Sequence, residues 1–337
     1  MKSWRGIGLI VCCFTIALVT LAFARPGYQA NGSADHGRVV VAGDKWGDNQ
    51  GTVGPTPVPV PGGPSVIVSA TGNGQYTTIS AALVAVQPGT TILVRPGQYN
   101  EAVAINKSVS IVGDGPRDQI VVVNTIPSSN TFEMNADQVL LRNLTIRLNI
   151  GTNEENCHNA IQNLRGYLTV QDCDVTGDSC AAIESGNEGT SGTFQRVRVH
   201  DSNMAGFLFR DGAAGTVDDC EITNSRYAGI EIRANANPTV TRCRVLNGRQ
   251  CGILVGTQGR GMLIDNEVRA NGGAGIEIRE GGNPTIRGGV VSGNVYQGIW
   301  VYRGGTGTVQ NCDLRGNGRG AWLIQDGCTV NASGNLE

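Results

Sequence analysis

Two glutamates stand in copies of one hexapeptide, Ala-Gly-Ile-Glu-Ile-Arg, at 228–233 and again at 274–279. A carboxyl beside an arginine can serve acid–base catalysis, ligand recognition or plain surface ion pairing. The equivalent positions in neighbouring segments read Glu184, Leu208, Glu231, Leu254, Glu277, Trp300 and Leu323. Two residues further on they read Arg210, Arg233, Gly256, Arg279, Tyr302 and Gln325. Aromatic rings stack on pyranose faces and arginines pair with carboxylates. Arg210, Arg233, Arg279, Trp300 and Tyr302 therefore form a candidate sugar-binding surface. Glu231 and Glu277 are the candidate catalytic pair. Stacked two strand spacings apart, they would sit about 9.6 Å from one another, near the carboxylate separation of about 6.5–9.5 Å in inverting glycosidases. The competing structural reading pairs Glu231 with Arg233 or Arg279 as surface ions and packs Trp300 under a turn.

Other reactive side chains carry less. His36, His158 and His200 are the only histidines, which argues against a multi-histidine metal site. No pair of cysteines has CxxC spacing, so neither a metal nor a cofactor is expected. His200-Asp201 could act as an acid–base pair, but no nucleophile or third partner is apparent beside it. It and His158 read as solvent-exposed turn residues. Cys157 and Cys180 fall at nearly equivalent places in adjacent segments and form the candidate disulfide.

What positions these residues is a repeat. Glycine followed by apolar, any, apolar recurs at Gly206, Gly229, Gly252, Gly275 and Gly298, a constant step in the class of solenoid repeats. Two further apolar tracks run in phase, Val217, Val240, Leu263, Ile286, Val309 and Ile222, Val245, Val268, Val291, Leu314. Three short period-two strands per repeat, separated by Gly and Asn turns, describe one coil with three sides. The fold class is all-β, a single-stranded right-handed parallel β-helix in which each coil is stable only when its neighbours cover it. Inward positions should form ladders of like residues, and Cys173, Cys220, Cys243 and Cys312 make one. Beside it the outward charges alternate coil by coil: Asp172 and Asp174, Arg196 and Arg198, Asp219 and Glu221, Arg242 and Arg244, Asp265 and Glu267. This alternation reads as an ion-pair ladder that guards register. A short helix from Thr77 or Thr78 through Gln87, with Ile79, Ala82, Leu83 and Val86 on one face, is expected to cap the open N-terminal end.

The 49 glycines and 5% aromatic content suit such a turn-rich repeat, and a net charge of −2 gives no sign of nucleic-acid binding. Residues 1–24 have the basic start, apolar run and Ala22-Phe23-Ala24 ending of a cleaved secretory signal. Residues 25–64, with Pro55, Pro57, Pro59, Pro61 and Pro64, read as a linker, and 65–337 as the β-helix domain. The mature chain is expected to be secreted or in the cell envelope, without a membrane span; no residue pattern indicates an oligomeric state.

The stretches GQYTTISAAL at 74–83, PGTTILVRPGQYNEAV at 88–103 and SIVG at 110–113 resemble the opening of pectin-lyase-like β-helix proteins, pectin methylesterases among them. The AGIEIR, NPT and GIWV units are similar to the repeats of F-box β-helix proteins and of the carbohydrate-binding and sugar-hydrolase repeat class. The resemblance implies the fold over about residues 65–330 and a carbohydrate ligand. It does not supply a catalytic set. The Asp-Phe-Ile/Val-Phe-Gly and Leu-Gly-Arg-Pro-Trp segments of methylesterases are absent, as are the polygalacturonase signatures and the Asp-Pro-His of alginate epimerases. The sequence by itself therefore leans away from an enzyme. It favours an exported protein that binds extracellular or cell-envelope polysaccharide on its outward strand face. The alternatives are a lyase, hydrolase or epimerase of uronate-containing polymers, and a structural surface protein without ligand.

Overall fold

The structure, a computed structural model, describes residues 63–151 and 157–337. The secretory signal read at 1–24, and the linker up to residue 62, lie outside the described residues. Every strand pairing within the described residues is parallel, and the registers fall on the repeat: Phe207 beside Ile230, Ile230 beside Ile253, Ile253 beside Ile276, and Ile276 beside Ile299. The second track stacks in the same way, Val217 on Val240, Leu263, Ile286 and Val309. The third side is a sheet of nine strands. The first and second sides merge into one sheet because two long strands, Phe132–Arg142 and Ile161–Gln171, run through the corner between them.

Inside the coils the apolar ladders close against each other. Ile230, Ile253 and Ile299 are wholly buried, and Phe194, Phe207 and Phe209 pack with ring centroids 5.3–6.3 Å apart. The glycine that begins each first-side strand is a packing requirement. A Cβ on Gly229 would lie 2.2 Å from Cγ1 of Val245 and 2.8 Å from the Gly252 carbonyl oxygen.

The turn between the second and third sides holds a left-handed residue in coil after coil: Asp172, Arg196, Asp219, Arg242, Asp265 and Asn311, with φ between 50 and 56°. The residue that follows points inward. Cys220 donates through Sγ to the Phe194 carbonyl at 3.4 Å, and Cys243 to the Val217 carbonyl at 3.4 Å. Asn266 occupies the same rung and does the same work more strongly, donating to the Val240 carbonyl at 2.9 Å and accepting from the Cys243 amide at 2.9 Å. A second asparagine ladder, unremarked in the repeat, follows the third side. Asn271, Asn294 and Asn317 each donate to a strand carbonyl, and the Asn294 and Asn317 side chains accept from the backbone amides of Asn271 and Asn294.

The ion-pair ladder is present with one exchange of partner. Arg196 meets Asp172 at 2.7 Å, and Arg244 bridges Glu221 at 2.7 Å and Glu267 at 3.3 Å. Arg242 turns instead to Asp218 on the preceding strand, which also accepts from Thr241.

The capping helix, α1, spans Ile79–Ala85 with Thr78 as its N-cap, and Ile79, Ala82 and Leu83 are buried against the first coils. It stops short of Gln87 because Pro88 disfavours helical backbone at the residue before it. Glu101 fastens the other end, its two carboxylate oxygens accepting from the amides of Ile79 and Ser80 at 2.8 Å each.

Candidate functional site

Strand register places the outward residues of the first side in two columns. Glu184, Leu208, Glu231, Leu254, Glu277, Trp300 and Leu323 stack in the first. The second carries Arg210, Arg233, Arg279 and Tyr302, with Arg279 directly beside Tyr302. Position alone does not decide their chemistry; burial does.

The expected open platform of aromatic rings is corrected by the structure. Tyr302 is only 9% exposed and Trp300 is half-buried. Their rings stack on each other, centroids 4.5 Å apart and planes at 29°, and the indole nitrogen is buried. The turn segment preceding each first-side strand folds across the column: Tyr227, Ala228, Cys251 and Leu254 form a small apolar cluster there. Such coverage is unreadable from period-two alternation, which marks a side chain as outward but not as exposed.

The top of the column is a closed ion site. Glu184 accepts from Asn159 at 2.9 Å and from Arg210 at 2.7 and 2.9 Å, and Arg210 also holds Asp211. Arg210 is thereby committed within the protein.

Lower down lies a different arrangement. Glu277 accepts from the Tyr302 hydroxyl at 3.0 Å; that hydroxyl accepts from Arg279 Nη1 at 3.2 Å; and Arg279 Nη2 donates to the Tyr227 hydroxyl at 2.8 Å. Glu231 is 6% exposed, has Arg233 at 3.6 Å, and accepts no hydrogen bond among the described residues. Burial raises the pKa of both carboxyls. At Glu231 the neighbouring Arg233 and Arg279 oppose the rise, and at Glu277 the Tyr302 hydroxyl and Arg279 do. Burial also raises the Tyr302 hydroxyl. Two buried carboxyls with raised pKa thus flank an arginine clamped between two phenols. That constellation can deliver a proton at Glu231, take one or activate water at Glu277, and stabilise developing negative charge at Arg279.

His200 differs from expectation. It ends a third-side strand and is only 16% exposed at its side chain. Its Nε2 lies 3.1 Å from Asp174 and its Nδ1 2.6 Å from Asp201. The hydrogen bond to Asp174, more than that to Asp201, raises the histidine's pKa. Burial pushes Asp174 up, but His200 and Arg147 outweigh it and hold the carboxyl far below its usual range. Asp174 lies a full coil before His200 in the chain, so the pair is visible only once the coils are stacked. Cys157 and Cys180 are joined as a disulfide with their Cα atoms 5.4 Å apart. Among the described residues no group of His, Cys, Asp and Glu is arranged to hold a metal ion, and no helix is long and apolar enough to cross a membrane.

The right handed beta helix region model matches residues 185–336. The chain is a right-handed, pectin-lyase-like β-helix. Residues 65–181 of the β-helix match the pectinesterase family model. Among solved structures, pectate lyase Pel9A aligns with a TM-score of 0.52 at 16% identity, over 80% of this chain and 76% of that one. The enzymatically active domain of tailspike protein 2 from bacteriophage CBA120 aligns with a TM-score of 0.57 at 14% identity, over 71% of this chain and 42% of that one. Carrot pectin methylesterase aligns at 0.47 and 16% identity, over 81% and 83%. No curated protein matches the chain by sequence. The pectinesterase match over residues 65–181 corrects the leaning away from an enzyme: that stretch is similar to an enzyme family.

Proposed function

We propose that this β-helix is an enzyme that modifies uronate-containing polysaccharide, with hydrolysis of the uronate methyl ester as its reaction. The observation that carries this reading is the pair of buried carboxyls, Glu231 and Glu277, flanking Arg279 on the outward face of a chain whose opening matches pectinesterase. In this reading Arg279 and the phenols around it hold the ester oxygen as negative charge develops. Glu277, hydrogen-bonded by Tyr302, takes a proton from the water that adds to the ester carbon; as the bond to the methoxyl oxygen breaks, Glu231 gives that oxygen its proton and methanol leaves. The half-buried Trp300 and Arg233 border the esterified sugar. The disulfide fits an oxidising, extracytoplasmic compartment, where such a polymer is found.

The test is incubation with methyl-esterified polygalacturonate, following methanol, new reducing ends and unsaturated uronate separately. Methanol release is expected, falling by about 100-fold or more in Glu277→Gln and Glu231→Gln. Absence of all three products from the wild-type chain, or undiminished rates in both variants, would sink the proposal. Reducing ends without methanol would favour glycosidic hydrolysis instead, a reading supported by the two-coil spacing of the glutamates.

A further inference from the structure

A second concavity runs along the turns that follow the third side. It has a volume of about 610 Å³ and is lined by Asp178, Asp201, Asn203, Asn224, Arg226, Asn247 and Arg249, among others. That volume falls within the range of ligand-binding clefts. Backbone pairing sets its side chains in two columns. Asp201, Asn224 and Asn247 occupy equivalent places in successive coils, as do Asn203, Arg226 and Arg249. From Asp178 to Asn247 the row spans three strand spacings, about 14 Å. It ends where the next coil offers only Ala270 and Gly272.

The acids of this groove are already satisfied. Asp178 accepts from the amides of Ile150 and Gly151 at 3.0 and 2.9 Å, and Asp201 from His200 at 2.6 Å and Asn224 at 3.0 Å. The donors are not. Arg226 spends one nitrogen on Asn203 at 3.0 Å, and Arg249 makes no side-chain hydrogen bond or ion pair among the described residues. Two guanidinium groups one coil apart, beside carboxylates that are held by other donors, present charge-assisted donors to an anion.

We infer that this groove binds a short run of carboxylate-bearing sugar residues, separately from the glutamate pair on the first side. The guanidiniums take the sugar carboxylates, and the Asn247 amide meets a hydroxyl group. The site goes beyond the proposed reaction; the choice of a carboxylate-bearing sugar as its ligand rests on that reading.

Titration calorimetry with trigalacturonate tests the groove in an Arg233→Gln/Arg279→Gln host, which lacks the two guanidiniums beside the first-side glutamates. The host should bind, and adding Arg226→Gln/Arg249→Gln should weaken binding by about tenfold. The trisaccharide's methyl ester should bind the host more weakly by a similar factor. Failure of the host to bind, or binding unchanged by the added pair or by esterification, overturns the inference. Should the host unfold, the count of sites on the wild-type chain decides: Arg226→Gln/Arg249→Gln must remove one. Ester turnover plays no part in these readouts, so loss of the reaction and loss of the groove are told apart.

Discussion

At the scale of single residues, the decisive property of this protein is how far its outward side chains are withdrawn from water. Glu277 illustrates this. Burial holds its pKa up, and the Tyr302 hydroxyl is the hydrogen bond that opposes burial. Tyr302→Phe removes a donor that favours the ionised form, so the Glu277 pKa must rise further. If Glu277 acts as the base, the acid limb of kcat/KM moves to higher pH in that variant, and a pH–rate profile reads the shift directly. His200 gives a second prediction, on stability. Its folded-state pKa is raised, so its contribution is full below the unfolded value of about 6.5 and is lost as pH climbs through the folded value. Asp174 is depressed, so its contribution is full above about 3.9 and is lost as pH falls. The pair therefore stabilises most between those limits. The Tm difference between wild type and His200→Gln should shrink as pH is raised from 6 through the alkaline range.

At the scale of the element, the coil turns hold the energetics. Asn294 donates to the Val268 carbonyl and accepts from the Asn271 amide inside the stack. Asn294→Ala orphans both groups, and a cost of about 1–3 kcal/mol for each unsatisfied buried group is expected. Chemical denaturation would measure it as a lower midpoint. Much of this level was legible beforehand. Gly229, Gly252 and Gly275 announced the register, because a missing Cβ recurring once in every coil has a steric cause that the Val245 contact supplies. The cysteine ladder was visible because a rare residue stood on like rungs. The asparagine ladder was not, because asparagine is also an ordinary turn residue and its spacing alone does not say whether its side chain points in. The burial of Tyr302 and the bond from Arg279 to Tyr227, two coils away, were likewise hidden. They depend on how turns of one coil lean over strands of another, which no local pattern encodes.

At the scale of the whole molecule, stability accumulates coil by coil, so a crosslink between neighbouring coils acts on the chain much as an added rung. The Cys157–Cys180 bridge closes a loop with a sequence separation of 23. In the chain-entropy description a loop of that order contributes about 3 kcal/mol. Cys157→Ser/Cys180→Ser should therefore unfold at lower denaturant concentration than wild type. A steeper slope would report a more expanded denatured chain, and a shallower one that the coils no longer unfold together.

The left-handed residue at the second corner has one more implication. The path of the backbone there is secured from within by a thiol or an amide, while the residue in the left-handed conformation faces water and has been aspartate, arginine or asparagine without altering the bend. One edge of the cylinder is thus a strip on which a change of charge leaves the interior ladders untouched and costs only exposed ion pairs such as Arg196 with Asp172.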